Sequence, residues 1–551
     1  MENIEVKTDM ETLILRINDL PDEILMIIFK NMYNTEVLYS LLDVDKGLNR
    51  IVCDSAFTYR LSLLRSVPTR LIVSESLSRY FIYPLLDSIV NRFCLQILPQ
   101  INNKIKWLNL ESSSIKRILR ATNYPALYGF GLYNIETNEA INLFSDETLF
   151  NCTFKNQISA LVIDISTNGQ RTSTEHVNVH LFKHILTIFT NLRYLNFGPS
   201  SIWYQQLSFD TQFSTMISSS LLELHVRLQD FIDCIYLLDG RFNQLHTLHV
   251  NITYIMSSNL TINNKEKLPN LRFFSLRSNR NTDCYDELIV PLLNRMLNLE
   301  ELNLFLQVSD RQKFVDDNDL KRNIIDHMTR LNKFKFCIYS SIQFDNEFDF
   351  PSNENIQKIF KDFQDNQIIS YIDYFPKARQ GQCHNYSYPY ELKNYDKITN
   401  NFPGGLHQFV RIVSLYDEHS FEHEFFLRIS QSFPYMEKLT VINRTQQINK
   451  QCRKSKHQNQ KFSIIKYPNL IELDLHRTHK DYHRQFLFDI ITCLPDNVYV
   501  CMDYRLTKKV THNFRRNITR NNCSKIGNVF FYYKSKFPEH LKDYFPRARI
   551  A

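Results

Sequence analysis

Short apolar runs recur along the chain at a step that stays between 22 and 33 residues, and this limits the fold more than any single motif does. The runs Trp107–Leu110, Gly129–Leu132, Leu161–Ile165, Leu192–Phe197, Leu221–Val226, Leu245–Val250, Leu271–Leu276, Leu299–Leu304 and Phe334–Phe336 anchor at residues 108, 130, 163, 195, 224, 248, 274, 302 and 334. Alternation inside each run predicts a strand with one buried face. Stretches with helical spacing lie between them, at Leu181–Phe189, Leu288–Met296 and Phe425–Phe433. After a break over 335–411 the runs resume at Ile412–Leu415, Leu439–Val441, Leu470–Leu475, Val498–Val500 and Val529–Phe531. A strand-plus-helix unit of this length cannot close its own core, so neighbours must stack for any of them to be stable. An ordinary α/β domain with a parallel sheet would use similar elements, and the recurring step favours the stacked array.

Composition narrows the chemistry. Glycine supplies only 10 of 551 residues, far below the usual ~7%. No GxGxxG or GxxxxGK[ST] loop is present, so phosphate-cradling cofactor folds are excluded and no cofactor is expected. The net charge of +7 is thin over this length, and neither a nucleic acid nor a membrane is expected as partner. One local basic cluster stands out: Lys508, Lys509, Arg515, Arg516, Arg520 and Lys525. A solvated face is its ordinary reading and a partner or phosphate surface the sharper one. The 11 cysteines form no CxxC pair, the first residues are polar and acidic rather than leader-like, and no long apolar run predicts a membrane span. A reducing, cytoplasmic or nuclear setting fits these features.

Residues 17–57 read as three short helices. Leu20-Pro21-Asp22-Glu23 opens the first, with proline in the first turn and acids where the helix dipole favours them. Ile24, Leu25, Ile28, Phe29 and Met32 then recur at helical spacing. Asn34 and Thr35 suit the start of a second helix, and Asp43 suits the cap of a third carrying Leu48, Ile51 and Val52. So small a module has more apolar surface than it can bury alone, which predicts a face left for a partner. The segment Leu20-Pro-Asp-Glu-Ile-Leu25, with Ile28-Phe29 and Leu41 to Cys53, resembles an F-box. The resemblance covers about forty residues. It implies binding to the Skp-type adaptor of a cullin–RING ubiquitin ligase and, through it, the cullin scaffold. By resemblance Leu20, Pro21, Glu23, Ile24, Leu25, Ile28, Phe29, Leu48 and Val52 would serve the adaptor contact. The sequence departs from many F-boxes in lacking tryptophan here, its only two being Trp107 and Trp203; Leu48 and Phe57 stand as substitutes.

The LxxLxL runs resemble leucine-rich repeats in an irregular, longer form. The expected fold is therefore α/β: an F-box module over 15–60, a helical linker or cap over 61–104, and a leucine-rich-repeat-like solenoid over 105–551, with an irregular insertion about 338–410. The implied function is that of a non-catalytic substrate receptor in an SCF-type ligase, its array holding a target protein. The alternative is an adaptor-independent interaction scaffold whose module packs on its own array. Polar residues on or beside the strands are the candidate target contacts: Asn196, His225, His246, His249, Arg272, Asn303, Lys335 and Asp474.

Three constellations carry weaker chemistry. His419-Ser-Phe-Glu422-His423 matches HxxEH, which on a helix would bring two imidazoles to one metal. The following segment reads instead as the outer helix of a repeat, with both histidines on its solvated flank, and no metal site is expected. His476, His479 and His483 share metal-ligand spacing near Asp474 and Asp481, though a polar loop explains them better. Cys383-His384 sits in a strand whose Tyr386, Tyr388 and Tyr390 alternate. The break also contains an acidic aromatic turn at 344–350 and the heptapeptide Asp373-Tyr-Phe-Pro-Lys-Ala-Arg379. That peptide returns as Asp543-Tyr-Phe-Pro-Arg-Ala-Arg549, read as an old duplication or a repeated strand-closing turn.

Overall fold

A computed structural model describes residues 20–68, 80–144, 153–166, 175–198, 205–209, 217–257, 268–309, 311, 313–343, 367–449, 463–532 and 537–550. The turn at 344–350 lies outside them. The chain is mixed α/β, and most of its strands run parallel. It divides into two compact units: residues 1–69, 74–227 and 241–245 form the first, and 70–73, 228–240 and 246–551 the second.

The first unit begins with a helical module, α1 (Asp22–Lys30), α2 (Asn34–Leu41), α3 (Lys46–Val52) and α4 (Ser55–Thr58). Several local expectations shift by a residue or two. Pro21 stands just before α1 as its N-cap rather than within it. Asn34 does not cap α2; its Nδ2 donates to the Ala56 and Arg60 carbonyls and ties α2 to the chain beyond α4. The cap of α3 is Asp45, whose carboxylate accepts from the Gly47 and Leu48 N–H at 2.7 and 2.9 Å. Asp43 instead occupies the left-handed region at φ 69°, its N–H donating to Asn49 Oδ1. Asp22 pairs with Arg50 and links α1 to α3.

The strands of this unit are β1 (Arg60–Leu63), β2 (Arg65–Pro68), β3 (Tyr80–Tyr83), β4 (Trp107–Glu111), β5 (Gly129–Glu136), β6 (Ala160–Ser166), β7 (Tyr194–Phe197) and β8 (Glu223–Asp230), the last followed to Arg227. β2 and β3 pair as an antiparallel ribbon. The others form a parallel ladder, β1-β4-β5-β6-β7-β8, in which every strand after β4 pairs with the one before it in sequence. The ladder thus starts at β1, inside the stretch read as a helical linker. Leu61, Leu108, Phe130, Leu161, Leu195 and Leu224 lie in one register row and are buried. The anchor expected at Ile163 falls one dyad further on, opposite Leu132. The helix Glu175–Ile188 covers this apolar face, and Phe182 meets Phe197 edge-on at 5.5 Å.

The second unit holds β9 (Thr247–Tyr254), β10 (Phe273–Thr282), β11 (Glu301–Val308) and β12 (Lys333–Gln343), parallel and in sequential order, with Leu248, Phe274, Leu302 and Phe334 in one buried row. At β12 the rhythm stops. β13 (Gln367–Phe375) and β14 (Gln380–Tyr388) form an antiparallel hairpin that pairs on β12 through β14. The irregular insertion is thus this hairpin and the start of a second parallel sheet. That sheet runs β15 (Asn394–Ile398), β16 (Ile412–Tyr416), β17 (Lys438–Asn443), β19 (Glu472–Thr478), β21 (Val498–Asp503), β22 (Ile526–Tyr532) and β23 (Arg549–Ile550). β18 (Ile465–Lys466) and β20 (Thr492–Cys493) pair beside it. Helices His423–Ser432 and Lys480–Leu487 follow β16 and β19, and Phe426 meets Phe486 edge-on at 5.2 Å.

The repeated heptapeptide takes two backbones. Asp373, Tyr374 and Phe375 end β13, whereas Asp543 and Tyr544 end the short helix Leu541–Tyr544. Phe375 and Phe545 are buried in both copies, the proline after each is exposed, and each copy leads into a strand, β14 or β23. What repeats is a buried phenylalanine anchor before a strand-leading turn.

Candidate functional site

Helix α1 carries two apolar faces. Leu25 and Phe29, one turn apart, are sealed in the module, where Phe29 meets Phe57 edge-on at 6.4 Å. Leu48, Ile51 and Val52 from α3 fill the same interior. Ile24, Ile27 and Ile28 take the other face and remain exposed, by 43%, 60% and 42%, and Met32, two residues past the helix end, is 42% exposed. Tyr33 and Val44 are exposed nearby in sequence. A helix of this kind ordinarily turns one apolar stripe inward and a polar one outward. Here the outward stripe, at i, i+3 and i+4, is itself aliphatic.

The nine residues singled out for adaptor contact therefore separate. Pro21, Glu23, Ile24 and Ile28 are exposed and Leu20 is half-exposed. Leu25, Phe29, Leu48 and Val52 are core, and as placed their side chains support the surface rather than form it. Ile27, Met32, Tyr33 and Val44, also exposed, were not among those nine. The signal for Ile27 was present in the spacing: on a helix it falls on the arc opposite Leu25 and Phe29, whereas Met32 lies two residues past the end of α1.

The strand candidates lie on several strands. In the first unit Asn196 and His225 are register partners, in the row Ser62, Asn109, Gly131, Val162, Asn196, His225. His225 Nε2 lies 2.7 Å from Glu223 Oε1, and its ring lies 5.4 Å from that of Tyr194. Sequence reading missed the aromatic cluster on this face. Trp107 Nε1 donates to Asn109 Oδ1 at 2.6 Å, Asn109 Nδ2 donates to Ser62 Oγ at 2.8 Å, and the Arg60 guanidinium sits 4.7 Å from the Trp107 ring. Two glycines make this possible: a Cβ on Gly129 would overlap the Trp107 ring, and one on Gly131 would overlap Asn109 Oδ1. Tyr133 and Tyr194 flank the same patch.

In the second unit His249, Ser275, Asn303 and Lys335 form one row. His249 packs on Phe273 at 4.5 Å, Lys335 pairs with Glu391, and the buried Asn303 Oδ1 has no hydrogen-bond partner. His246 and Arg272 precede their strands: the His246 carbonyl accepts the Arg272 and Phe273 N–H at 2.9 Å, and Arg272 Nε lies 3.4 Å from Glu300. Asp474 lies in the other sheet of this unit, its Oδ1 accepting the His476 N–H at 3.0 Å and 2.7 Å from the His476 ring Nδ1.

The metal-like spacings do not converge. Glu422 is the residue before the helix His423–Ser432, so His419 stands outside that helix beside Asp417, at 3.3 Å. His423 is 5% exposed, contrary to a solvated flank, and its Nε2 lies 3.1 Å from the Ser463 carbonyl. His476 stacks on Tyr532 at 4.4 Å, His479 caps its helix, and buried His483 lies 3.1 Å from Thr507 Oγ1.

Cys383 and His384 are both buried, and the cysteine facing His384 is Cys337, with Sγ to Nε2 at 3.3 Å. Burial pushes the Cys337 thiol up to about 12 and holds His384 well below the ordinary histidine range. This is the neutral thiol–imidazole form, the reverse of the thiolate–imidazolium pair a nucleophile needs. Tyr386 and Tyr390 are buried beside it and Tyr388 is half-buried. Among the described residues no helix is long and apolar enough to cross a membrane.

No family model matches the chain, and no curated protein matches it.

Proposed function

We propose that the chain is a substrate-recognition subunit of an SCF-type cullin–RING ubiquitin ligase. In this reading the N-terminal module is an F-box that docks on the Skp-type adaptor, and the parallel strands and their covering helices form an irregular leucine-rich-repeat-like solenoid that holds a target protein. The solenoid reading is supported by the sequential neighbour order within each unit: consecutive strands pair in matched register, as units stacked one on the next would do. The adaptor reading rests on the bare aliphatic stripe Ile24, Ile27 and Ile28 beside a separately completed core. Contiguous exposed apolar surface of this kind marks protein-interaction sites. It does not favour an adaptor-independent scaffold, which needs the module's apolar face covered by its own chain.

The chemistry is positional. A receptor that fixes a target lysine near a charged conjugating enzyme raises its effective concentration and needs no catalytic group of its own. The row His249, Ser275, Asn303 and Lys335 is the target-facing candidate in the second unit. The test is recovery of purified adaptor on the full chain, comparing wild type with Ile24→Asp plus Ile28→Asp. Both positions are exposed, so circular dichroism should be unchanged while adaptor recovery drops at least tenfold. Equal recovery by the folded double variant would refute the reading.

A further inference from the structure

The chain's positive charge is concentrated in one place. Residues 504–538 contain nine of the 65 lysines and arginines and none of the 58 acids, so the remaining sequence is slightly acidic. The fold gathers much of this run. On the helix Tyr504–Val510, Arg505, Lys508 and Lys509 share an exposed face at i, i+3 and i+4. The chain then reverses through His512, Asn513 and Phe514, all at positive φ (49°, 59° and 60°). The reversal is closed by Asn513 N–H to the Lys508 carbonyl at 2.8 Å and by the Arg515 and Arg516 N–H to the Thr511 carbonyl at 2.9 Å. It sets exposed Arg515 close to the end of the helix that bears Lys508 and Lys509, and exposed Arg520 opens the helix Arg520–Lys525.

Structural needs explain only part of this arrangement. The C-terminal dipole of the first helix accounts for Lys508 and Lys509. Arg516 stacks on Phe488 at 4.4 Å, and Lys525 Nζ donates to the Leu494 carbonyl at 3.1 Å. Nothing comparable accounts for Arg505, Arg515 or Arg520. Among the described residues no carboxylate pairs with Arg505, Lys508, Lys509, Arg515 or Arg520, although exposed cations elsewhere, such as Lys313 and Lys333, do find acids. Three successive non-glycine residues in the left-handed region are strained backbone. The fold thus keeps like charges together across a strained reversal.

We propose that this surface docks a short acidic segment of a partner polypeptide. The proposal stands apart from the ligase reading, since it needs neither an adaptor nor an F-box. The size and sign of the surface select the occupant. A nucleic-acid strand would ask for exposed rings to stack its bases, but Tyr504 and Phe514 are buried and Phe488 is capped by Arg516. A duplex or a bilayer would extend past the patch, where the chain carries no excess of positive charge. A run of four to six Asp or Glu residues matches a cluster of about five cations, and screening over ~8 Å confines its attraction to the cluster.

The experiment measures binding of a fluorescein-labelled oligoglutamate peptide, eight residues long, to the full chain by anisotropy, from 50 to 300 mM salt. Three proteins are compared: wild type, Lys508→Gln/Lys509→Gln/Arg515→Gln/Arg520→Gln, and a control with Lys116→Gln/Arg120→Gln/Arg193→Gln/Arg330→Gln, four exposed cations elsewhere. Expected are at least tenfold weaker binding by the patch variant, no change in the control, and wild-type affinity falling at least tenfold over the salt range. Matching thermal melts verify that the variants are folded. An oligo-dT strand, a DNA duplex and phosphatidylserine vesicles are titrated in parallel. Wild-type failure to bind the peptide, equal loss in both variants, or patch-dependent binding that is tighter for DNA or vesicles each overturns the proposal.

Discussion

Within one turn of α1, neighbouring isoleucine and leucine side chains have opposite environments: Leu25 is 3% exposed and Ile24 43%. Composition cannot separate such residues; only their angular position around the helix can, and a reading that weighs residue type over arc groups them as one set. Polar residues show the same point at Asp373. Its carboxylate accepts from Thr399 Oγ1 at 2.6 Å and Asn401 Nδ2 at 2.9 Å, yet burial raises it to about 6. Burial also lowers His407 and His483 to about 4 each. The signs oppose. A raised acid contributes stability that is complete below its unfolded value near ~3.9 and is lost as pH rises through about 6; a lowered histidine contributes stability that is complete above ~6.5 and is lost as pH falls through about 4. Asp373→Asn, which keeps an acceptor for Thr399 and Asn401, should therefore stabilise the chain by ~1–3 kcal/mol at pH 7.5 and by about half as much at pH 5, read from urea midpoints at the two values.

Among the elements, the strands were the most legible, because each LxL run shows its period directly. Register was less so. Between Leu132 and Ile135 the pairing of β5 with β6 shifts, and a bulge leaves no mark in hydropathy. β1 and β15 escaped notice because Arg60–Leu63 and Asn394–Ile398 lack the run of three alternating apolar residues. The caps of α1 and α3 each moved by one or two positions, a displacement a residue-type rule cannot resolve when several acids stand together. The Trp107 cluster was invisible because it depends on what is missing, the side chains of Gly129 and Gly131 on the adjacent strand. Gly131→Ala would push Asn109 out of its bonds to Trp107 and Ser62 and should cost ~1–3 kcal/mol, seen as a lowered urea midpoint.

For the molecule as a whole, sequential pairing means that each unit is held mainly by near neighbours, a regime in which cooperativity can break down along the chain. The two tryptophans, Trp107 and Trp203, fall in the sequence of the first unit, whereas circular dichroism reports on both units. Tryptophan fluorescence and circular dichroism should therefore trace different urea transitions, with separate midpoints. Superimposable curves would mean that the chain unfolds as one block. The target-binding surface was the least legible part at this scale. Its candidates come from many strands, and a surface assembled from many strands has no linear signature.

The bare aliphatic ridge of α1 also bears on the life of the chain before it meets anything. Newly made and alone, such a polypeptide is a sticky orphan, prone to clump with its own kind or to be retained by folding helpers that grip exposed grease. Its abundance in a cell would then follow the supply of whatever covers Ile24, Ile27 and Ile28, and making the two together would be the route to a well-behaved preparation.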